Sequence, residues 1–300
     1  MKTEPSESVR LIAVMTSFNR QPATLACLEH FAVAARQAGI ELEAVLMDDG
    51  STDGTAAAVR ERYPWVEVLE GDGSLFWNRG MHRAQERAMG RGADYLLWLN
   101  DDTELLPDSI ALLLETGHTL RLRHGNHVIV VGSTADRETG HLTYGGHVAP
   151  KRGRPFTYQR VWHETEPVEC HAMNGNVVLI PMQIARVVGN LDPVFEHGTG
   201  DIDYALRARA QGYRVFVAPG FVGHCSHNPT SNTYQDATLP LSIRWKKMVS
   251  RKGLPPRSWK HFTRRHGGLA WPPITDPLGS GTMRATPEAP AGPWSDGTPL

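Results

Sequence analysis

The chain has 300 residues, 40% of them hydrophobic and 21% charged, with a formal net charge of −1; that length can bury a full core, and the composition is that of a soluble globular protein. Near-neutral charge excludes a general nucleic-acid binder. No stretch reaches the ~20 continuous apolar residues of a membrane span, and the polar start MKTEPSESVR does not read as a signal peptide, so a cytoplasmic protein is expected.

Residues 1–8 read as a flexible N-terminus. A strand is expected over 10–17, then a helix over 22–38 opened by proline, a strand over 43–47 and a helix over 55–62. A short strand at 66–69 leads through the glycine-rich GDGSLFWNRG into a helix over 81–91, followed by a strand at 95–99 and a helix opened by Pro107. This βαβαβαβ alternation predicts a doubly wound α/β half. Beyond it the pattern loosens. A buried strand is expected at 128–131, hairpins or a mobile loop in HLTYGGHV and KRGRPFTYQRVW, and a strand in CHAMNGNVVLIP closing on Pro181 with a helix to Val188. A helix over 201–210 and a strand over 213–217 complete the core. Cys27, Cys170 and Cys225 lack CxxC spacing, so neither a zinc site nor a disulfide framework is implied.

Two of the strands run straight into paired acids: AVLMDDGSTDGT with Asp48 and Asp49, and DYLLWLNDDTEL with Asp101 and Asp102. An apolar run ending in acid and glycine delivers carboxylates to the C-terminal edge of a parallel sheet, where such sheets bind ligands. Turn-making and helix capping explain one such pair; two in successive βα units point to a divalent cation and a phosphate-bearing, polyhydroxylated ligand. Other chemistries lack their parts. There is no GxGxxG after the first strand, no GxxxxGK[ST] and no GxSxG, which argues against dinucleotide-binding, P-loop and α/β-hydrolase enzymes.

The segments VMTSFNR, MDDGSTDGT, LNDDTEL and GDIDYALRARAQGY, in that order, resemble the family 2 glycosyltransferases of the GT-A fold, in particular the rhamnosyltransferase-like group; the resemblance covers about residues 9–230. It implies a Rossmann-like, mostly parallel central sheet flanked by helices, with a smaller acceptor-side region and C-terminal helices. It also implies inverting transfer from a nucleotide-diphosphate sugar to a saccharide or lipid-linked acceptor hydroxyl, aided by Mg²⁺ or Mn²⁺. The nucleotide-binding half would span about 9–118 and the acceptor half about 119–236.

By the same resemblance Thr16 and Phe18 meet the nucleotide base and Arg20 lies near the phosphates. Asp49 accepts from the base's ring N–H while Asp48 supports the strand end. Trp77, Asn78 and Arg79 approach the sugar or phosphate, Asp101 faces the ribose or donor sugar, and Asp102 binds the cation. His224 follows the last strand where some resembling enzymes place a metal ligand; His227 is a weaker candidate, and His171 and Asn174 are candidates for the acceptor side. The family's Glu-Asp-x-Asp stands here as Gly200-Asp201-Ile202-Asp203, which aligns Asp201 with the base and Asp203 with the second acid. An i,i+4 pair between Asp203 and Arg207 is expected from spacing alone. A silent nucleotide-sugar-binding module and a sugar nucleotidyltransferase are the alternatives; the latter's basic glycine-rich loop is absent from MTSFNR.

Between Asp236 and Asp276 there is no acid, while basic residues from Arg244 to Arg265 interleave with Trp245, Trp259 and Phe262. This 237–270 segment reads either as a basic helix pair facing solvent or, through 244–266, as a peripheral contact with anionic lipid at the inner face of a membrane. That contact would suit the synthesis of cell-surface polysaccharide or glycolipid. Residues 271–300, rich in Pro, Gly, Thr and Ser, read as a disordered tail.

Overall fold

The computed structural model describes residues 9–149, 156, 158–228 and 230–268; residues 1–8 and 271–300, and most of the KRGRPF stretch, lie outside them. The first half alternates as expected: β1 (Leu11–Ser17), α1 (Gln21–Gln37), β2 (Ala44–Asp48), α2 (Thr55–Arg62), β3 (Val66–Glu70), α3 (Phe76–Met89) and β4 (Tyr95–Leu99). Then come β5 (Glu104–Leu105), α4 (Ser109–His124), β6 (Val128–Val131), β7 (Thr134–Ala135), β8 (Leu142–Tyr144), β9 (Gly146–Val148), β10 (Gln159–Val161), β11 (Val168–Cys170), β12 (Ala172–Met173) and β13 (Val177–Pro181). The last elements are α5 (Met182–Val188), α6 (Gly200–Ala210), β14 (Arg214–Val217), β15 (Gly223–His224), α7 (Leu241–Met248) and α8 (Pro256–His266).

Eight strands form one sheet in the order β11-β14-β6-β13-β4-β1-β2-β3. The β4-β1-β2-β3 part is parallel throughout, while β13 runs antiparallel between β4 and β6. The start of β13 therefore lies beside the end of β4, with Val177 opposite Leu99. Alternation along β1 explains the two layers: Leu11, Ala13 and Met15 face the core under α1, α2 and α4, and Ile12 and Val14 face the one under α3, α5 and α6. Helix α1 meets the sheet with Thr24, Cys27, Leu28, Phe31 and Ala35, one stripe at helical spacing.

Of the local readings, the hairpins form: β8 pairs antiparallel with β7, and β9 antiparallel with β10 and β12. Two others are corrected. Helix α3 begins at Phe76, so Trp77, Asn78 and Arg79 lie in its first turn. The C-terminal segment folds back: Trp259 and Phe262 are buried against Phe195 in a third apolar cluster, so these two aromatics do not face lipid. Among the described residues no helix is long and apolar enough to cross a membrane.

Candidate active site

The carboxyl ends of β1, β2 and β4 converge with the start of β13 and the N-terminus of α6. On β1, Thr16 donates its hydroxyl to the Met47 carbonyl (3.1 Å), and Phe18 stands half exposed beside Gly73. A half-exposed ring at a sheet edge offers a face on which a flat ligand can stack.

The aspartates after β2 are both buried and differ in use. Asp49 accepts from Gly73 N–H (3.0 Å) with Oδ1 and from Leu75 and Phe76 N–H (2.9 and 3.0 Å) with Oδ2. It fastens the glycine-rich loop and the start of α3, where the sequence reading gave it to the base. Asp48 accepts from Ser51 N–H (2.7 Å) and leaves Oδ2 without a partner among the described residues.

In the first turn of α3, Trp77 donates its indole N–H to Asn100 Oδ1 (2.7 Å) and packs edge-on against Trp98. Asn78 is fully buried and donates to the carbonyls of Asp192 and Phe195, both at 2.9 Å. Arg79 donates to the Pro193 carbonyl (2.9 Å) and reaches Glu196 (3.5 Å). Asn78 and Arg79 therefore tie α3 to the turn before α6, instead of pointing to a donor as the sequence suggested.

After β4, Arg20 bridges Asp101 (3.1 Å) and Asp102 (2.7 Å) through one nitrogen. Burial pushes the Asp101 carboxyl up to about 6; Arg20 opposes the rise and Asp102 adds to it. Asp102 lines a cleft of about 390 Å³ together with Arg20, Glu104, Arg137, Glu138 and the run from His224 to Asn228. Strand β15 places His224 there, opposite Glu104 in register, and its ring Nδ1 is buried with no partner among the described residues. Cys225, the next residue, sits with its thiol 3.5 Å from Asp102 Oδ1. The sequence thus named two residues, Asp102 and His224, that share one cleft. An imidazole nitrogen without a partner and a carboxylate lining the same cleft are donor types that fit a divalent cation. Among the described residues no three acids, histidines or cysteines gather into a closed cage, so such a cation would need phosphate and water oxygens to complete its shell.

His227 leans on Tyr144 (5.0 Å between rings), and burial, then Arg160, lowers its pKa. His171 accepts from Ala149 N–H (3.1 Å), and Asn174 bonds Gly145 through its backbone. These contacts bind short strands together.

Asp201 opens α6, accepting from Gly175 N–H with Oδ2 (3.0 Å) and from Ile202 N–H with Oδ1 (2.8 Å). Burial raises its carboxyl to about 6, against the pull of those amides. Gly175 is required here: a Cβ would sit 2.4 Å from the Trp77 ring. Gly200 is equally constrained, since a Cβ there would come within 1.7 Å of Asn78 Oδ1. The missing first acid of the Glu-Asp-x-Asp pattern is thus matched by Asn78 occupying its space. The expected pair forms, with Arg207 Nε 2.7 Å from Asp203 Oδ2. Arg265 and His266 of α8 each lie 2.8 Å from Oδ1 of the same carboxylate, which is fully buried. Burial alone would raise Asp203, but His266, Arg207 and Arg265 outweigh it and hold it down to about 2. Charged partners on both oxygens and a carboxyl held near 2 make Asp203 a poor proton acceptor, whereas the two oxygens of Asp201 meet only neutral amides among the described residues. No local pattern announced Arg265 or His266, sixty residues downstream.

Residues 12–177, more than half the chain, match the family model described as glycosyl transferase family 2. The chain belongs to that family. Its sheet and flanking helices are the GT-A fold. Among solved structures it resembles a mannosyltransferase, PcManGT from Pyrobaculum calidifontis, solved with GDP-Man and Mn2+. The TM-score is 0.55 at 17% identity, over 87% of this chain and 66% of that one. It also resembles GalNAc-T7, solved with UDP, GalNAc and Mn2+, with TM-score 0.54 and 14% identity over 85% of this chain. The chain spans 66% and 48% of the lengths of these two proteins, and at such identities the likeness is one of fold. No curated protein matches the sequence.

Proposed function

We propose that this family 2 glycosyltransferase moves a sugar from a nucleoside-diphosphate sugar to an acceptor hydroxyl with inversion, and that Asp201 is the base. The observation that carries the reading is the Asp201 carboxylate: fixed by two amides at a helix N-terminus, without a cationic partner among the described residues, and raised to about 6. Such a group is ionised at neutral pH yet basic enough to take a proton. Asp201 accepts the acceptor's hydroxyl proton as that oxygen bonds to the anomeric carbon. The bond from that carbon to the diphosphate breaks on the opposite face, and the diphosphate leaves with the electron pair; one such displacement inverts the centre.

Asp102 and His224 are the residues that would hold a divalent cation, which when bound supplies positive charge to the leaving diphosphate. A histidine beside a carboxylate suits Mn²⁺ better than Mg²⁺. Arg20 supplies a second cationic group in the same cleft. Phe18, half exposed after β1, and Asp48, whose Oδ2 has no partner among the described residues, are the groups assigned to a nucleotide base. The two solved relatives bound to nucleotides and Mn2+ support the class of donor and cation. A saccharide or lipid-linked acceptor, and a place in polysaccharide or glycolipid synthesis, follow from the same reading.

The test is nucleoside diphosphate release from UDP-, GDP- and dTDP-sugars with Mn²⁺. Asp201→Asn is expected to cut turnover at least 100-fold while nucleoside diphosphate binding persists. Asp102→Ala is expected to weaken that binding at least 10-fold by titration calorimetry. Full turnover in Asp201→Asn would reject Asp201 as the base, and unchanged binding in Asp102→Ala would reject the cation site.

A further inference from the structure

Helix α8 grips the segment that carries Asp201. Its residues Arg265 and His266 reach the buried Asp203, two positions after Asp201 in the first turn of α6. Arg265 and His261 also reach Asp192 at 2.6 and 3.1 Å, and Ser258 donates to the Val194 carbonyl at 3.0 Å. Phe262 packs on Phe195 with ring centres 6.3 Å apart. From the other side Asn78 and Arg79 of α3 hold the same turn.

This turn needs holding. Thr199, which precedes α6, has φ +70°, a left-handed backbone that a β-branched residue keeps only under outside constraint. A fully buried carboxylate is moreover a poor source of stability compared with apolar packing. Its value lies in fixing one geometry among several, and here it fixes the helix whose first turn presents Asp201 to Gly175.

We propose that Arg265 and His266 are positioning residues of the transfer reaction. Through Asp203 they hold α6 in the placement that keeps the Asp201 carboxylate against the Gly175 amide. The C-terminal helix is thereby part of the catalytic apparatus while touching no substrate. The inference rests on Asp201 acting as the base.

The experiment compares full-length wild type, Arg265→Gln/His266→Gln, Arg265→Lys and Asp201→Asn. The activity readout is nucleoside diphosphate release from whichever UDP-, GDP- or dTDP-sugar the wild type consumes with Mn²⁺. The second readout is amide hydrogen exchange over residues 200–206, which needs no activity. The double variant is expected to lose about 10-fold or more in kcat with KM for the nucleotide sugar within 2-fold, and to exchange about 10-fold faster across 200–206. Arg265→Lys, which keeps the charge, is expected to retain at least half of kcat. Unchanged exchange, unchanged kcat, or a loss expressed wholly in KM would overturn the proposal. Should the double variant not fold, Arg265→Gln alone is read by the same two measurements. Asp201→Asn separates the two levels: full turnover there defeats the base assignment, whereas loss there with no effect at Arg265 and His266 defeats the positioning role alone.

Discussion

Asp201 and Asp203 lie two residues apart on one helix, and their surroundings push them in opposite directions. Asp201 is raised from 3.8 to about 6 because burial penalises its charge and only amides answer it. The folded state therefore holds the Asp201 proton more tightly than the unfolded chain does, and stability falls as pH climbs from about 4 through about 6. That rise corresponds to about 3 kcal/mol against the ionised form. Asp201→Asn, which keeps an acceptor for the Gly175 amide, is expected to raise Tm at pH 8 while abolishing transfer; wild-type transfer is expected to fall as pH drops through about 6. Asp203 has the opposite sign. Held down to about 2, it contributes stability that is complete above about pH 4 and lost as pH falls toward 2. Asp203→Asn leaves Arg207, Arg265 and His266 without their shared anion. It is expected to cost about 3 kcal/mol, read as a drop in denaturation midpoint at pH 7. A rise in Tm for Asp203→Asn, or a fall for Asp201→Asn, would show that the two roles had been exchanged.

At the level of elements, strands were legible where the chain is apolar and unbroken: β1, β2, β4 and β13 each read as buried runs ending at a turn. The start of α3 was not legible, because the amides that open it find their acceptor on Asp49, in a loop more than twenty residues earlier. A local window sees Asp72 and Ser74, which bond each other, and not the distant Asp49. The same distance hid the partners of α8. Trp259 and Phe262 look free in the sequence because Phe195, which covers them, lies some sixty residues away. Among the described residues, the exposed large apolar side chains of the C-terminal segment lie on α7, with Leu241 79% and Trp245 41% accessible, one turn apart, beside Lys246 and Lys247. Apolar insertion into an anionic lipid surface would therefore come from α7. Each lysine near such a surface contributes about 1 kcal/mol. Trp245→Ala/Lys246→Gln/Lys247→Gln is expected to lose at least 10-fold in co-sedimentation with phosphatidylserine vesicles, with Tm unchanged. Equal sedimentation of wild type and variant would remove the membrane role from this helix.

At the scale of the whole molecule, one sheet brings together carboxylates from distant parts of the chain, and the antiparallel insertion of β13 does it. Because β13 starts where β4 ends, Asn100 N–H reaches the Asn176 carbonyl (2.9 Å), and Gly175, next to Asn176, donates to Asp201. Asp102, the proposed cation ligand, and Asp201, the proposed base, are thus tied to two ends of one short backbone junction. The sequence named both acids, but this rung joining them is invisible without the fold. A ligand that engages the Asp102 cleft should then stabilise the sheet's whole carboxyl edge. Stabilisation by a bound nucleoside diphosphate follows RT ln(1 + [L]/Kd), about 2.7 kcal/mol at a hundredfold excess over Kd. For a domain of this size that is a Tm rise of ~5–10 °C. With Mn²⁺ present, one of UDP, GDP or dTDP is expected to give such a rise. EDTA is expected to abolish it without lowering the Tm of the free protein, because the cation joins the fold only with the diphosphate. A nucleotide shift that survives EDTA would mean that Arg20 and Arg137 hold the diphosphate unaided, and that Asp102 and His224 serve the cleft without a metal.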